Sequence, residues 1–276
     1  MIGMRACCGL EELEACVQLQ IDVWGYADGD VIPRRVFLVA QKIGGQVIGA
    51  FDAAQPDSPE GCEASADMVG FALSLPGVKP AGPDGKATSY LHSHMLAVRE
   101  GYRNAGIGRR LKLAQREDAL RRGITHMEWT FDPLEIKNAY LNIHRLGAIV
   151  RRYEPNFYGN SSSRLQGGLP TDRLVAEWSM ASSRVEERLS ADAGNRLPSA
   201  ALSSADSVMV PAAIYAWKAD ATTRSKAEAV QASNRERLQD AFERGLAIVD
   251  YRLDEDGNGH FVLGRWAGAN EALVAG

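Results

Sequence analysis

Apolar residues recur along the chain with two spacings, which predict alternating strands and helices. Leu13, Val17, Gln20 and Trp24 share one helical face, whereas residues 68–75 are apolar and strand-like. Strands are predicted at residues 4–8, 46–51, 68–75, 89–98, 126–131, 149–153 and 174–180, and helices at 10–24, from Pro33 to just before Gly44, at 107–122 and at 134–146. Segments 53–66 and 76–86, which carry Pro and Gly, are predicted loops. An α/β fold follows.

The last third of the chain changes in character. Residues 191–207 are rich in Ala, Ser, Gly and Asn and read as a linker. A polar helix at 221–244 and strands at 246–253 and 259–266 follow, with an Asp-Gly-Asn-Gly turn between the strands. The predicted organisation is a domain of residues 1–190, a linker of 191–207 and a helix-plus-hairpin extension of 208–276. The extension is expected to pack on the core or on a second subunit, which leaves a homodimer open.

Composition narrows the class of function. The 276 residues carry a net charge of −4, which argues against a nucleic-acid partner, because such a surface needs clustered Lys and Arg. No apolar run approaches the ~20 residues of a membrane span, and the N-terminus does not resemble a signal peptide. The four cysteines at 7, 8, 16 and 62 fit no zinc spacing. We therefore expect reduced thiols, no metal site, no membrane partner and a cytoplasmic location.

The most informative segment is residues 92–110, which reads as strand, glycine-containing turn and helix. Gly106 and Gly108 allow a backbone to approach an anion closely, and the following helix directs its free N–H groups and positive dipole end at that anion. The arginines at 103, 109 and 110 add charge. The pattern predicts a diphosphate site, with a plain strand–turn–helix corner as the alternative. A Gly-Lys-Ser/Thr sequence is absent and Leu111 replaces the third glycine of a dinucleotide fingerprint.

Residues 103–108, Arg-Asn-Ala-Gly-Ile-Gly, match the R/Q-x-x-G-x-G/A signature of the GNAT superfamily of N-acetyltransferases. The order of predicted elements over residues 4–182 also resembles that fold, a mixed, mostly antiparallel sheet flanked by helices. The resemblance implies acetyl-CoA or another acyl-CoA as co-substrate. It also implies a pantetheine-binding strand and a pyrophosphate-binding turn, formed by Leu96, Ala97, Val98, Arg103, Asn104, Ala105, Gly106, Ile107, Gly108 and Arg109.

Two histidines precede this turn on the same predicted strand. His92 and His94 are two residues apart and should share a face, and imidazole is suited to deprotonating an ammonium near neutral pH. The sequence from His92 to Val98 resembles the H-x-H-x-L-A-V strand of arylalkylamine N-acetyltransferases. That resemblance implies that both histidines help remove the amine proton. The structural alternative is one core histidine and one surface histidine.

The helix predicted at 134–146 departs from the family pattern. Many GNAT enzymes place a Tyr, which protonates the leaving thiolate, four residues before the Gly that ends this helix. Here Ile143 stands four residues before Gly147. Tyr140, one turn earlier, is the candidate substitute, with a core aromatic as the alternative.

Other candidates flank that position. Asn138 is predicted to contact the cofactor from a polar face shared with Asn142 and Arg145, or that face is simply solvated. The usual family Asn would fall at Ile136. Trp129 and Phe131 are expected either to line the acceptor pocket or to belong to the core.

The predicted function is transfer of an acyl group from acyl-CoA to nitrogen. Acetyl transfer to a primary amine is the simplest form, on a small molecule or a peptide. The rival is an acyl-CoA-binding or regulatory module with little or no turnover, which Ile143 favours and the histidine pair disfavours. A nucleotide-binding protein is a third alternative.

Overall fold

The computed structural model describes residues 2–26, 29–52, 68–80, 85–159, 161–163, 166–191 and 207–266. They belong to two compact units. Unit 1 comprises residues 1–127 and 162–165, and unit 2 comprises residues 128–161 and 166–276. The predicted linker lies outside the described residues except at its ends, Ala191 and Ser207. The predicted loop at 53–66, which includes Cys62, also lies outside them.

Unit 1 contains an antiparallel sheet in the order β1–β2–β3–β4. Its elements are β1 (Ile2–Ala6), α1 (Gly9–Trp24), α2 (Arg34–Lys42), β2 (Gln46–Asp52), β3 (Met68–Lys79), β4 (Thr88–Val98), a 3₁₀ turn (Glu100–Tyr102), α3 (Ile107–Arg121) and the start of β5 (His126–Phe131). The predicted loop at 76–86 is wrong at its start, because residues 76–79 continue β3. Their pairing with residues 88–91 of β4 outweighs the local Pro and Gly signal.

Both faces of this sheet are covered. One apolar cluster joins Leu13, Phe37 and Phe71 with neighbouring residues of α1, α2 and the sheet. The other joins Ile107 and Leu111 of α3 with residues of β2 and β3. The α3 helix, which follows the glycine turn, is thereby fixed against the sheet.

Unit 2 continues the chain from within β5. Its strand order is β5–β7–β6–β9–β10–β8. After β5 come α4 (Ile136–Ala139), which continues into a π-helix (Tyr140–Arg145), β6 (Ile149–Glu154), β7 (Arg173–Ser179), α5 (Ser183–Ala191), β8 (Ser207–Val210), α6 (Ile214–Ala219), α7 (Arg224–Glu243), β9 (Leu246–Leu253) and β10 (Gly259–Arg265). The sequence did not predict α5, β8 or α6. Each is short, so its periodic signal is weak.

The C-terminal extension continues the sheet of unit 2. In β9, Ile248 pairs with Val150 of β6. From α7, Arg235 places its NH2 group 2.8 Å from Oδ2 of Asp172, a carboxylate that is fully buried. Of the two predicted alternatives for the extension, the structure thus shows packing on the same chain. A sequence identifies a hairpin from its turn, but not the strand edge that the hairpin will join.

Three cysteines lie in the described residues. Cys7 and Cys16 are buried free thiols, whereas Cys8 is disulfide-bonded, so the prediction of reduced thiols is wrong for Cys8. No described helix is long and apolar enough to cross a bilayer. Within the same residues, no group of three His, Cys, Asp or Glu side chains is placed to hold a metal ion.

Candidate functional site

The glycine turn at the start of α3 has the backbone expected of an anion cradle. Gly106 has a φ of +75°, a conformation that glycine adopts without steric cost, and Asn104 has a φ of +62°. Gly106 is the N-cap residue of α3, and no side chain caps the helix. A β-carbon on Gly106 would meet no atom within 4 Å. The uncapped first-turn amides therefore adjoin open space, where a phosphate group can accept their hydrogen bonds.

The three arginines near this turn have different environments. Arg103 donates from Nε to the carbonyl oxygen of Val98 over 3.1 Å, which ties the turn to the end of β4. Arg110 donates to the carbonyl oxygen of Ile2 in β1, and Arg109 is half-buried. Arg103 and Arg110 thus bind backbone carbonyls in addition to bringing charge to the turn.

The strand implied to bind pantetheine packs directly on the turn. Leu96, Ala97 and Val98 pair with Ala72, Phe71 and Gly70 of β3. The side chains of Leu96 and Val98 contact the apolar cluster that contains Ile107, Leu111 and their neighbours. A β-carbon on Gly108 would lie 3.5 Å from Cδ2 of Leu96. Strand, turn and helix are thus one packed assembly. Within it, Ile107 is a core side chain that has only its backbone available to a ligand.

The histidine pair lies on β4 just before this segment. The ring centroids of His92 and His94 are 5.9 Å apart. A β-bulge interrupts the pairing with β3 here, because Leu73 pairs with Met95 while Ser74 pairs with Ser93. His94 is the extra residue of the bulge. Burial lowers the pKa of His94, so its imidazole is neutral at neutral pH and can accept a proton.

A buried polar network beneath β4 was not predicted. Lys112 of α3 donates from Nζ to Oγ of Ser93 over 2.7 Å, and that hydroxyl donates to Oε1 of Gln115 over 3.0 Å. Lys112 is only 4% exposed, and burial lowers its pKa well below the usual value. The sequence carried one signal for this network. Lys112 and Gln115 flank the apolar stripe of α3 and so belong to its buried face.

The predicted helix at 134–146 is not a continuous α-helix. From Tyr140 it is a π-helix, and the Leu146 N–H donates to the carbonyl oxygen of Leu141, five residues earlier. The wider turn changes which residues share a face. Asn138 is exposed and Asn142 is buried, so the predicted common polar face is wrong.

Tyr140 and Ile143 differ in their suitability as a proton donor. Ile143 is fully buried in the core. Tyr140 is half-buried, and its ring stacks on His144 with centroids 4.8 Å apart. Its hydroxyl forms no hydrogen bond to any residue that the structure describes. Tyr140 therefore offers a phenol that a ligand can reach, whereas Ile143, at the usual family position, has no proton to donate.

The aromatic residues of β5 belong to the core. Trp129 and Phe131 are buried, and Trp129 packs edge-on against Trp178 with centroids 5.7 Å apart. Of the two predicted alternatives, the core role is the one observed. Thr130 lies between these two residues, and its Oγ1 is 2.9 Å from the hydroxyl oxygen of Tyr158.

Comparison with known proteins addresses the fold. No family model matches the sequence, and no curated protein matches it. A crystal structure of Arabidopsis thaliana NAA60 in complex with acetyl-CoA is similar, with a TM-score of 0.51, 16% sequence identity, and coverage of 64% of this chain and 98% of that chain. This protein has the fold of GNAT acetyltransferases. The fold prediction is thereby confirmed.

Two further solved structures are similar at lower scores. The ribosomal-protein-S18-alanine N-acetyltransferase from Escherichia coli has a TM-score of 0.45 and 14% identity over 66% of this chain and 96% of its own. A GNAT-family protein from Desulfovibrio desulfuricans has a TM-score of 0.45 and 13% identity over 66% of this chain and 100% of its own.

Proposed function

We propose that this protein is an acyl-CoA-dependent N-acyltransferase, which in its simplest form transfers acetyl from acetyl-CoA to a primary amine. The observation that carries the proposal is the open, uncapped glycine turn at Gly106, packed against a strand that presents a neutral His94. The first half of this arrangement suits a diphosphate, and the second suits an ammonium that must lose a proton.

The cofactor roles follow from the turn and β4. Amides of Asn104 to Arg109 would hold the pyrophosphate, with Gly106 providing the left-handed turn and Gly108 providing room. The backbone of Leu96 to Val98 would align the pantetheine arm. Contact between the pantetheine arm and Asn138, which is exposed on α4, stays a prediction.

The chemistry needs one proton acceptor and one proton donor. His94 takes a proton from the ammonium, directly or through a water molecule, with His92 as relay. The amine nitrogen then attacks the thioester carbonyl, and a backbone N–H near Val98 polarises that carbonyl. As the C–N bond forms and the C–S bond breaks, the electron pair of the C–S bond goes to sulfur, and the acylated nitrogen releases its second proton to solvent. The phenol of Tyr140 gives its proton to that thiolate and regains one from solvent.

A second candidate is an acyl-CoA-binding or regulatory module that turns over slowly or not at all. The buried Ile143 favours it, because the usual family position holds no proton donor. A thiolate leaving group needs less protonation than an alkoxide, so this observation weakens turnover without removing it. A cytoplasmic location stays a prediction in either case.

The test is an acyl-transfer assay on the full chain with acetyl-CoA and a panel of acceptors. The panel would hold an aromatic ethylamine, a polyamine, a peptide with a free N-terminus and a lysine peptide. We expect release of free CoA thiol, matched by a product 42 mass units heavier than one acceptor. Tight CoA binding without product on the whole panel would support the binding module. Stabilisation by ATP or NAD, with none by CoA, would contradict both.

A further inference from the structure

Four side chains from three distant segments of unit 2 are connected through His144. We call Tyr140, His144, Arg188 and Asp250 the Tyr140 cluster. Tyr140 and His144 come from the π-helix, Arg188 from α5, and Asp250 from β9 of the C-terminal extension. Nδ1 of His144 lies 3.2 Å from Oδ1 of Asp250. The NH2 group of Arg188 lies 3.2 Å from the same carboxylate oxygen.

Asp250 is an ionised hydrogen-bond acceptor. Burial raises its pKa, but a hydrogen bond from His144, the charge of Arg188 and the backbone N–H of Tyr251 together lower that pKa to about 2. A carboxylate in this position accepts strong, charge-assisted hydrogen bonds. Asp250 is therefore negatively charged at every pH at which the protein would work.

The carboxylate decides which nitrogen of His144 carries the proton. Both Asp250 and the NH1 group of Arg188 approach Nδ1, at 3.2 Å and 3.1 Å respectively. A protonated Nδ1 donates to Asp250, and NH1 of Arg188 then donates to the carbonyl oxygen of His144, 3.4 Å away. We assign this arrangement because it satisfies the buried charge of Asp250 from both partners. The imidazole is thus held in one tautomer and one orientation.

The fixed imidazole supports the ring of Tyr140. The two rings are nearly parallel, with an interplanar angle of 22° and centroids 4.8 Å apart. Stacking restrains the aromatic ring, while the phenol itself forms no hydrogen bond to any other described residue. The π-helix begins at Tyr140, and π segments within helices recur at functional sites.

We propose that Asp250 and Arg188 act through His144 as positioning residues for Tyr140, so that the C-terminal extension completes the site that protonates the leaving thiolate. The inference rests on the proposed function, in which Tyr140 is the acid. It gives the extension a role in catalysis as well as in folding, because a group must be held within about half an ångström of its productive position to act. The competing explanation is that the cluster only ties β9 to the π-helix.

A double-mutant cycle on kcat separates the two explanations. Tyr140→Phe should lower kcat by about 10²-fold, near the lower end for general acid–base help. His144→Ala should lower kcat about ten-fold, because a phenol that is only partly misplaced should lose less than one that is removed. The double variant should be no slower than Tyr140→Phe alone, with KM for acetyl-CoA unchanged throughout. Full kcat in Tyr140→Phe, or losses that multiply in the double variant, would overturn the inference.

Arg252→Ala is the matched control. Arg252 also neighbours Asp250, with Nε 3.8 Å from Oδ2, but is exposed on the same strand. We expect this variant to keep wild-type kcat. A loss in Arg252→Ala as large as that in His144→Ala would show that any disturbance of β9 slows the enzyme, and would overturn the inference.

A second measurement does not need turnover. In protein labelled with ¹³Cζ-tyrosine, the Tyr140 resonance is identified by its absence in Tyr140→Phe. Asp250→Asn keeps the shape of the side chain and one acceptor oxygen, so the fold should survive. We expect Asp250→Asn and His144→Ala both to shift the Tyr140 resonance, and Arg252→Ala to leave it in place. An unmoved resonance in Asp250→Asn would overturn the inference, whereas shifted resonances without acyl transfer would count against the proposed function alone.

Discussion

The glycine turn in unit 1 and the Tyr140 cluster in unit 2 are assembled in opposite ways. The turn, its strand and its helix all lie between Thr88 and Arg121, so neighbours in sequence are neighbours in space. In the cluster, His144 and Asp250 are 106 residues apart. A local site of this kind can be recognised from spacing and residue type. A site assembled from distant segments becomes visible only when the fold brings them together.

The largest expected effect concerns the local site. His94→Ala should lower kcat/KM at neutral pH by about 10² to 10⁴, the range for general-base help. Because burial lowers the pKa of His94, the wild-type protein should keep this imidazole in its base form to below the usual histidine pKa, and its rate of acyl transfer should fall only at lower pH. The deficit of the variant should narrow at high pH, where the amine is already neutral.

His92→Ala is the comparison for that profile, measured with a verified acceptor from pH 5.5 to 9.5. It should cost less, because solvent can replace a relay. An unchanged rate in His94→Ala across this range would show that His94 is not the general base, despite the resemblance of its strand to that of arylalkylamine N-acetyltransferases.

The next effect tests whether unit 2 depends on its long-range contacts. Asp172 is fully buried, and Arg235 supplies its cation. Arg235→Ala leaves that carboxylate with the hydroxyl of Tyr153 and the N–H of Asn156 as donors. We expect the free energy of unfolding to fall by about 3 kcal/mol, as for a buried pair that loses one partner. Urea denaturation would measure it.

A control pair lies at the C-terminal end of α7. Arg244 pairs with Asp240 in an exposed i, i+4 arrangement, so Arg244→Ala should cost less than about 1 kcal/mol. Equal losses in the two variants would show that the Arg235–Asp172 pair stabilises unit 2 no more than an exposed ion pair does.

The smallest effect, counted per pH unit, concerns Lys112. Its folded-state pKa lies well below that of the unfolded chain, so between these two values the unfolded state binds the extra proton and stability rises with pH. A single such group gives a slope of at most about 1.4 kcal/mol per pH unit. Lys112→Met should remove this slope, as measured by urea unfolding from pH 6 to 9.5. The exposed Lys42→Met should retain it, and an identical slope in all three proteins would argue that Lys112 stays charged when folded.

Elements that depend on local sequence preferences were predicted correctly. Residues 126–131 and 246–253 were predicted with the observed bounds, since Gly123 and Pro133 flank the first strand, and Gly245 and the turn at 256–259 flank the second. The glycine turn was predicted because Gly106 needs its positive φ there. These features depend on local preferences, which a sequence carries directly.

The features that were missed depend on tertiary contacts. The π-helix at Tyr140 and the bulge at His94 each insert a residue into an otherwise regular pattern, and residue type does not mark such an insertion. The position of Lys112 beside the apolar stripe of α3 indicated a buried face, but its contact with Ser93 depends on the packing of α3 on β4. Asp250 had no visible partner until β9 joined β6.

The central claim is that the turn around Gly106 holds acyl-CoA, and isothermal titration with CoA tests it most directly. The decisive variant is Gly108→Val, because a β-carbon there meets only Leu96 Cδ2 at 3.5 Å and the fold should tolerate it. Gly101→Val is the matched control, where a β-carbon meets no atom within 4 Å. We predict equal binding in wild type and Gly101→Val and at least about ten-fold weaker binding in Gly108→Val, a loss of roughly 1.4 kcal/mol. Equal affinity in all three proteins, or no binding to wild type, would contradict the account.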